Sequence, residues 1–227
     1  MSQIHGKYCV IIPAYEAAKT IGELVGRVVS QGLAVIVVDD GSRDATASIA
    51  SGGGAVVISH LRNEGRGSAL RTGFAHALRA RYDGVVTMDS DGQYDPSEIR
   101  ELVGLGERQH AGLVLGNRMA NGIVMPAGWR WTNGFLSWII SGLIRQPVPD
   151  SQCGFRFIRR EVLEQLSLRA RCDELETELL LGAASRRWKI VSVPVRSVRT
   201  TGQRSHCKVL RDTARFLGVI ARHALHR

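Results

Sequence analysis

The chain has 227 residues, 44% of them hydrophobic and 22% charged, the composition of a soluble globular fold with one large domain. Thirty Lys and Arg against 21 Asp and Glu leave a formal charge of +9, which suits an anionic partner: nucleic acid, lipid headgroups or a phosphorylated substrate. The four cysteines, Cys9, Cys153, Cys172 and Cys207, form no Cys-x-x-Cys pair, which argues against zinc and for a reducing compartment.

In chain order, Tyr8 to Ile12 is a β-branched run closed by Pro13, a buried-strand signal. Ala17 to Ser30 has helical apolar spacing at Ile21, Leu24, Val25 and Val28. A second strand, Ala34 to Val38, stops at Asp39-Asp40-Gly41-Ser42, and Asp44 is placed to cap a helix running to about Ala50. Ala55 to Ile58 is a third strand, Ser68 to Arg81 a helix, Gly84 to Met88 a fourth strand, Pro96 to Gln109 a helix, and Leu113 to Leu115 a fifth strand. Uniformly apolar strands alternating with helices predict a mainly parallel sheet covered on both faces. Ligands of such sheets bind beyond the strands' carboxyl ends. Pro13-Ala14-Tyr15-Glu16, Asp39-Asp40, Asp89-Ser90-Asp91 and Gly116-Asn117-Arg118 all fall there.

Beyond Arg118 the alternation breaks down. Trp129 to Arg145 is amphipathic and carries three tryptophans. Its longest uncharged stretch, Trp131 to Ile144, has 14 residues, too few to span a bilayer. Phe155 to Ile158 and Lys189 to Val195 read as strands, Glu161 to Ser167 and Glu174 to Arg187 as helices. A last helix from Ser205 gathers Lys208, Arg211, Arg215 and Arg222 opposite Leu210, Phe216, Leu217, Ile220 and Leu225. A basic face beside an apolar one fits either a membrane surface or packing on the core. The polar start, Met1 to Lys7, shows no signal peptide. No nucleic-acid motif occurs, and the few aromatics are not interleaved with the cations.

Asp89-Ser90-Asp91-Gly92-Gln93 is the most informative stretch. Side chains alternate along an extended chain, so Asp89 and Asp91 share a side and call for a divalent ion with hard oxygen ligands, Mg²⁺ or Mn²⁺. A plain helix cap by Asp91 or Asp95 is the competing reading. Asn63-Glu64-Gly65-Arg66-Gly67 lacks the dinucleotide spacing and is read as a tight turn that lets a phosphate or ribose approach. Glu174 and Glu178, at i and i+4, share one helix face while Glu176 points elsewhere; a solvated acidic face is the plain reading, and the sequence leaves it open.

The strings Val10-Ile11-Ile12-Pro13-Ala14-Tyr15, Val38-Asp39-Asp40-Gly41-Ser42, Asn63-x-Gly65-x-Gly67-x-Ala69 and Met88-Asp89-Ser90-Asp91-Gly92-Gln93 resemble family 2 glycosyltransferases. Asp150-Ser151-Gln152-Cys153-Gly154-Phe155-Arg156 and Gly202-x-x-Ser205-His206 resemble the dolichyl-phosphate mannosyltransferase branch. The resemblance implies a GT-A fold over 1–204, with a nucleotide-sugar half 1–118 and an acceptor half 119–204, followed by a basic amphipathic helix, 205–227. It implies inverting transfer of a hexose from a GDP-mannose or UDP-glucose type donor to a polyprenyl phosphate. That places the protein at the cytoplasmic membrane face, held peripherally. Donor contacts would come from Pro13, Tyr15, Glu16, Asp39, Asp40, Asp89, Gln93 and Arg118, with metal on Asp89, Asp91 and Gln93. Arg130, Ser205 and His206 would meet the acceptor phosphate, and Asp91 and Asp150 are the catalytic candidates. Glu16 stands where the family often has Asn, and His206 where it often has Lys.

A phosphate acceptor is already ionised and needs no strong base. A saccharide acceptor would need a carboxylate, with Asp150 and Glu176 as candidates. A non-catalytic nucleotide-sugar or anionic-lipid binding module is the third reading, against which both Asp89 and Asp91 stand.

Overall fold

The structure, a computed structural model, describes residues 7–121 and 127–197 together with Gly218. Its strands are β1 (Tyr8–Ala14), β2 (Ala34–Asp39), β3 (Val56–Ser59), β4 (Gly84–Thr87), β5 (Leu113–Asn117), β6 (Arg156–Arg159) and β7 (Ile190–Pro194). Between them lie α1 (Ile21–Val29), α2 (Thr46–Gly52), α3 (Arg66–Arg79), α4 (Ile99–Gln109), α5 (Ala127–Ile144), α6 (Arg160–Gln165) and α7 (Glu174–Ser185). The predicted helix from Ser205 lies outside the described residues, apart from Gly218, which is helical.

All seven strands join one sheet in the order β3-β2-β1-β4-β6-β5-β7. Only β6 runs antiparallel to its neighbours, β4 and β5. The carboxyl ends of β1, β2, β4 and β5 therefore share one edge, and β6 starts there. Strand alternation splits the core in two. Tyr8, Val10 and Ile12 face α1, α2 and α4, while Cys9 and Ile11 face α3, α5, α6 and α7. That is the predicted sheet with helices on both faces.

The starts of α1 and α4 differ most from the sequence reading. Residues 17–20 form a turn before α1, because the N–H groups of Ala17 and Ala18 donate to Thr46 Oγ1 (2.8 Å) and Asp44 Oδ2 (3.2 Å). These bonds, with Glu16 N donating to Ser42 Oγ at 2.9 Å, lace the β1–α1 loop to the β2–α2 loop. The helix predicted from Pro96 opens as a 3₁₀ turn, Pro96–Glu98, capped by Asp95, whose Oδ1 accepts from Ser97 N at 3.0 Å. Asp95 is thus the cap, and Asp91 is left for other work.

The helix α5 inverts the usual arrangement. Asn133 and Ser137 are each 3% exposed, while Trp131, Phe135 and Trp138 are 81%, 61% and 72% exposed. The cause is the returning segment 148–151. Asn133 donates to Asp150 Oδ1 (2.8 Å), Ser137 Oγ accepts from Ser151 N (2.9 Å), and Ser141 Oγ accepts from Val148 N (2.9 Å). A satisfied polar stripe and the apolar Ile140 and Ile144 face inward, so the aromatic stripe is left outside. Among the described residues no helix is long and apolar enough to cross a membrane.

Candidate active site

The site is assembled at the shared strand edge. β4 ends at Thr87, whose Oγ1 donates to Gly154 O at 2.8 Å, fixing the β4 exit against the segment that enters β6. The loop after it is held at three points. Thr20 Oγ1 donates to Ser90 O (2.6 Å), Gln93 N donates to Asp91 Oδ1 (3.0 Å), and buried Tyr94 accepts Gly154 N on its hydroxyl (3.2 Å). Two carboxylates are thereby fixed at the edge.

Asp89 is bound by nitrogen on both oxygens. Its Oδ1 accepts from Arg66 Nε (2.9 Å) and NH2 (2.6 Å), and its Oδ2 from Gln93 Nε2 (3.2 Å). Arg66 opens α3, and its NH1 also donates to Glu176 Oε1 at 2.7 Å. Glu176 in turn accepts from Arg156 NH2 at 3.1 Å, and Arg156, only 1% exposed, donates to the carbonyls of Cys153 and Ser151. The result is an alternating ladder, Asp89–Arg66–Glu176–Arg156, joining the β4 exit, α3, α7 and β6.

Burial raises the Glu176 carboxyl above its ordinary value, with the two arginines opposing. Asp91 has no guanidinium of its own: burial, and then the negative charge of Asp89, push its carboxyl up to about 6.

A Cβ at Gly154 would clash with Asp89 Oδ2 and lie 2.6 Å from Arg66 NH2, so glycine is what admits this pair. Gly154→Ala is expected to displace it at a cost of about 1–3 kcal/mol. A lower urea midpoint with an unchanged slope would show this.

In the glycine-rich turn Gly65 has φ +102°, and a Cβ there would come 2.5 Å from Arg171 O. Ser68 N donates to that same carbonyl at 3.0 Å. The close approach seen is to the backbone leading into α7.

Asp40 explains how the turn is pinned. Its Oδ1 accepts from Glu64 N (3.0 Å), its Oδ2 from Gly65 N (2.8 Å), and His60 Nδ1 lies 2.7 Å from Oδ1. With donors on both oxygens, Asp40 anchors the loop. Asp39, on the end of β2 and equally buried, accepts only Ser42 N, at 3.2 Å, among the bonds described. Of the two aspartates it has the more acceptor capacity left. Tyr15, 45% exposed, follows β1 beside it, and Pro13 is buried within the strand. Glu16 is exposed, in a left-handed turn at φ 49°.

Arg118 and Asp150 need a correction. Asp150 is fully buried, and its oxygens accept Arg118 N (3.1 Å), Nε (2.8 Å) and NH2 (2.9 Å), and Asn133 Nδ2. Burial alone would raise the Asp150 carboxyl, but Arg118 and Asn133 hold it below the usual carboxylate range. The pair is a fork-to-fork clamp between the end of β5 and α5. Asp150 is closed to solvent as a base, and Arg118, 5% exposed, spends its fork inside the protein and not on a donor phosphate. On α7 Glu176, which points away from the Glu174–Glu178 face, is 6% exposed, and Glu178 accepts from the N–H groups of Arg169 and Ala170. Arg130 is exposed on α5, whereas Ser205 and His206 lie outside the described residues.

Among the described residues no group of three or more His, Cys, Asp or Glu forms a ready metal cage. The donor set nevertheless fits a hard divalent ion. Asp91 makes no ion pair among the described residues, burial and Asp89 outweigh the charge of Arg66 there, and Mg²⁺ or Mn²⁺ ordinarily takes one or two carboxylates and completes its shell with substrate phosphates and water. Gln93 presents its nitrogen to Asp89, so its oxygen would ligate only after the amide turns over.

A mostly parallel sheet with Asp-x-Asp at the carboxyl edge, a pinned glycine loop and an exposed aromatic helix beside it is the GT-A arrangement of a glycosyltransferase. The chain matches glycosyl transferase family 2 over residues 9–167 and belongs to that family. It is 31% identical over 201 residues to polyprenol monophosphomannose synthase of Mycolicibacterium smegmatis, covering 82% of this chain and 75% of that one. It is 30% identical over 214 residues to a UDP-N-acetylglucosamine–dolichyl-phosphate N-acetylglucosaminyltransferase of Methanococcus voltae, covering 84% and 85%. Among solved structures, glucosyl-3-phosphoglycerate synthase of Mycobacterium tuberculosis, in complex with Mn²⁺, UDP and phosphoglyceric acid, shares the fold. Its TM-score is 0.75 at 22% identity, covering 96% of this chain and 78% of that one.

Proposed function

We propose that the protein transfers a hexose from a nucleoside-diphosphate sugar to a polyprenyl phosphate at a membrane surface. The observation that carries this reading is the pair Asp89 and Asp91, fixed at an open strand edge, Asp91 making no ion pair among the described residues. Similarity to relatives named for polyprenol and dolichyl-phosphate acceptors supports the acceptor class. Asp89 and Asp91 would hold Mg²⁺ or Mn²⁺, which when bound stabilises the negative charge developing on the leaving diphosphate. The protein's own part is positional. Asp39 and Tyr15 line the nucleoside side, and the Thr87–Gly154 and Tyr94–Gly154 bonds keep the two carboxylates at the edge.

A saccharide acceptor fits less well, because it needs a free carboxylate base. Both candidates, Asp150 and Glu176, are buried in ion pairs with arginine. The acceptor phosphate is an anion already and requires cations and orientation. Exposed Arg130, with Ser205 and His206, remains the set proposed to meet it.

The membrane contact is assigned to the outer stripe of α5. Trp131, Phe135 and Trp138 project to solvent, with the Phe135 and Trp138 rings 6.2 Å apart, and Arg130 and Arg145 are exposed towards the two ends of the helix. Aromatics flanked by cations suit an anionic bilayer interface. A groove of about 650 Å³ beside Trp138, lined also by Ile139, Leu143 and Pro147, offers apolar surface to an isoprenoid chain. Replacing Trp131, Phe135 and Trp138 together by Ser is expected to abolish sedimentation with phosphatidylglycerol-containing vesicles. Urea stability should change by no more than about 0.5 kcal/mol per substitution. Wild-type sedimentation by the triple variant would remove α5 as the contact.

The deciding assay offers labelled UDP- and GDP-sugars with undecaprenyl or dolichyl phosphate, in Mg²⁺, Mn²⁺ or chelator. An organic-extractable product that disappears with chelator is expected. Water-soluble product alone would overturn the lipid acceptor, and turnover undiminished by chelator would overturn the metal.

A further inference from the structure

Arg66 sits between two sets of carboxylates, and both oxygens of Asp89 face nitrogen donors. Oδ1 takes two donors and Oδ2 one, so a divalent ion reaching Asp89 would take the remaining position on Oδ2 or displace a donor. The Gln93 contact is the weaker one, a neutral amide at 3.2 Å against a guanidinium at 2.6 Å, so an ion arriving at Oδ2 displaces Gln93 first and meets the Arg66 charge still in place. Arg66 is also anchored on its other side: Glu176 Oε1 accepts its NH1 at 2.7 Å, and Asp173 Oδ1 lies 3.8 Å from the same nitrogen. Glu176 is itself immobilised by buried Arg156. Arg66 is therefore supported from behind whether or not it holds Asp89.

Charge gives the arrangement a direction. Asp89, Asp91 and Arg66 together carry one net negative charge, so a bare divalent ion would enter a site already largely neutralised and meet a guanidinium at close range. An anionic diphosphate arriving with the ion reverses that balance. Two of the five guanidinium N–H groups of Arg66 make no hydrogen bond among the described residues, and its side chain is 26% exposed.

We propose that Arg66 is an internal counter-cation that holds Asp89 in the resting site, so that a divalent ion is retained only together with a nucleoside diphosphate. The inference rests on the reading that Asp89 and Asp91 bind the metal. It makes Arg66 a positioning residue, acting through Asp89, that couples metal loading to donor loading.

The test measures Mn²⁺ uptake from the electron paramagnetic resonance of the free ion, with Mn²⁺ alone and with UDP or GDP. The proteins are wild type, Arg66→Gln, Arg66→Met and Arg66→Lys, each checked by thermal unfolding. Wild type is expected to bind Mn²⁺ weakly alone and more than about tenfold tighter with the matching nucleotide. The neutral variants should bind Mn²⁺ alone about tenfold tighter than wild type and lose most of the coupling. Arg66→Lys, which keeps the charge, should stay within about threefold of wild type. A merely structural role for Arg66 would not tighten metal binding in any variant.

Two neutral side chains of different shape guard against one of them failing to fold. Unchanged or weaker Mn²⁺ affinity in the neutral variants, with coupling intact in wild type, overturns the role of Arg66 alone. No Mn²⁺ uptake by wild type with either nucleotide overturns the metal reading and this inference together.

Discussion

Asp150→Asn is expected to destabilise the protein by about 3–5 kcal/mol, a large share of the roughly 5–15 kcal/mol that holds a domain together. The carboxylate is fully buried and accepts four donors, three of them from Arg118. An amide has one acceptor oxygen, and its NH2 group would be turned towards either Arg118 or Asn133, both of which donate there. The Arg118 guanidinium would be left buried beside a neutral group, which is the expensive way to break such a pair. The double variant Asp150→Leu with Arg118→Met removes both charges, and is expected to recover most of the loss. Urea unfolding at constant slope measures both. If Asp150 were a base, Asp150→Asn would abolish transfer at unchanged stability. If the clamp is structural, the double variant keeps nucleotide binding, a result that would also remove Arg118 from the donor site.

Much of this site was visible in the residues, because apolar strands end where polar residues begin. The runs at Val10, Val35, Val85 and Val114 declare themselves as buried strands, and the polar tails of β1, β2, β4 and β5 do meet at one edge. What each polar residue does there depends on partners distant in sequence. Asp39 and Asp40 are neighbours with opposite fates, since the turn at Glu64 and Gly65 returns to Asp40 from 24 and 25 residues away. The role of Glu176 stayed open because Arg66, 110 residues away, was not in view. Two hints were available. An arginine at the start of a helix sits against the positive end of the dipole and needs carboxylates nearby, which applies to Arg66 opening α3. Arg156 lies inside the apolar run from Cys153 to Ile158, where a cation survives only if fully hydrogen-bonded. For α5, periodicity revealed two stripes but not which of them the 148–151 segment would cover.

Asp91→Asn is expected to raise stability while removing activity, and the two signs follow from one fact. Burial and the charge of Asp89 lift the Asp91 carboxyl from 3.8 to about 6 in the folded protein. Between those values the native state binds more protons than the unfolded chain, so stability from this group falls as pH rises from about 4 to about 6 and stays low above that. At pH 7 in chelator the ionised carboxylate costs on the order of 1–3 kcal/mol, which a neutral amide of the same shape returns. The metal-free Asn variant should therefore unfold at higher urea than wild type at pH 7, and the two midpoints should converge towards pH 4.

Asp89→Asn should move the other way, losing about 1 kcal/mol, because Arg66 then has one anion fewer and the pair is partly exposed. Turnover should fall about 10²–10³-fold in either variant if the two carboxylates together stabilise the leaving diphosphate through a bound cation. Saturating Mn²⁺ and nucleotide should then reverse the order at position 91, stabilising wild type by linkage and leaving the Asn variant where it was. An Asn variant less stable than wild type in chelator at pH 7 would mean that Asp91 is compensated within the folded chain, and the case for a cation there would lose its physical ground.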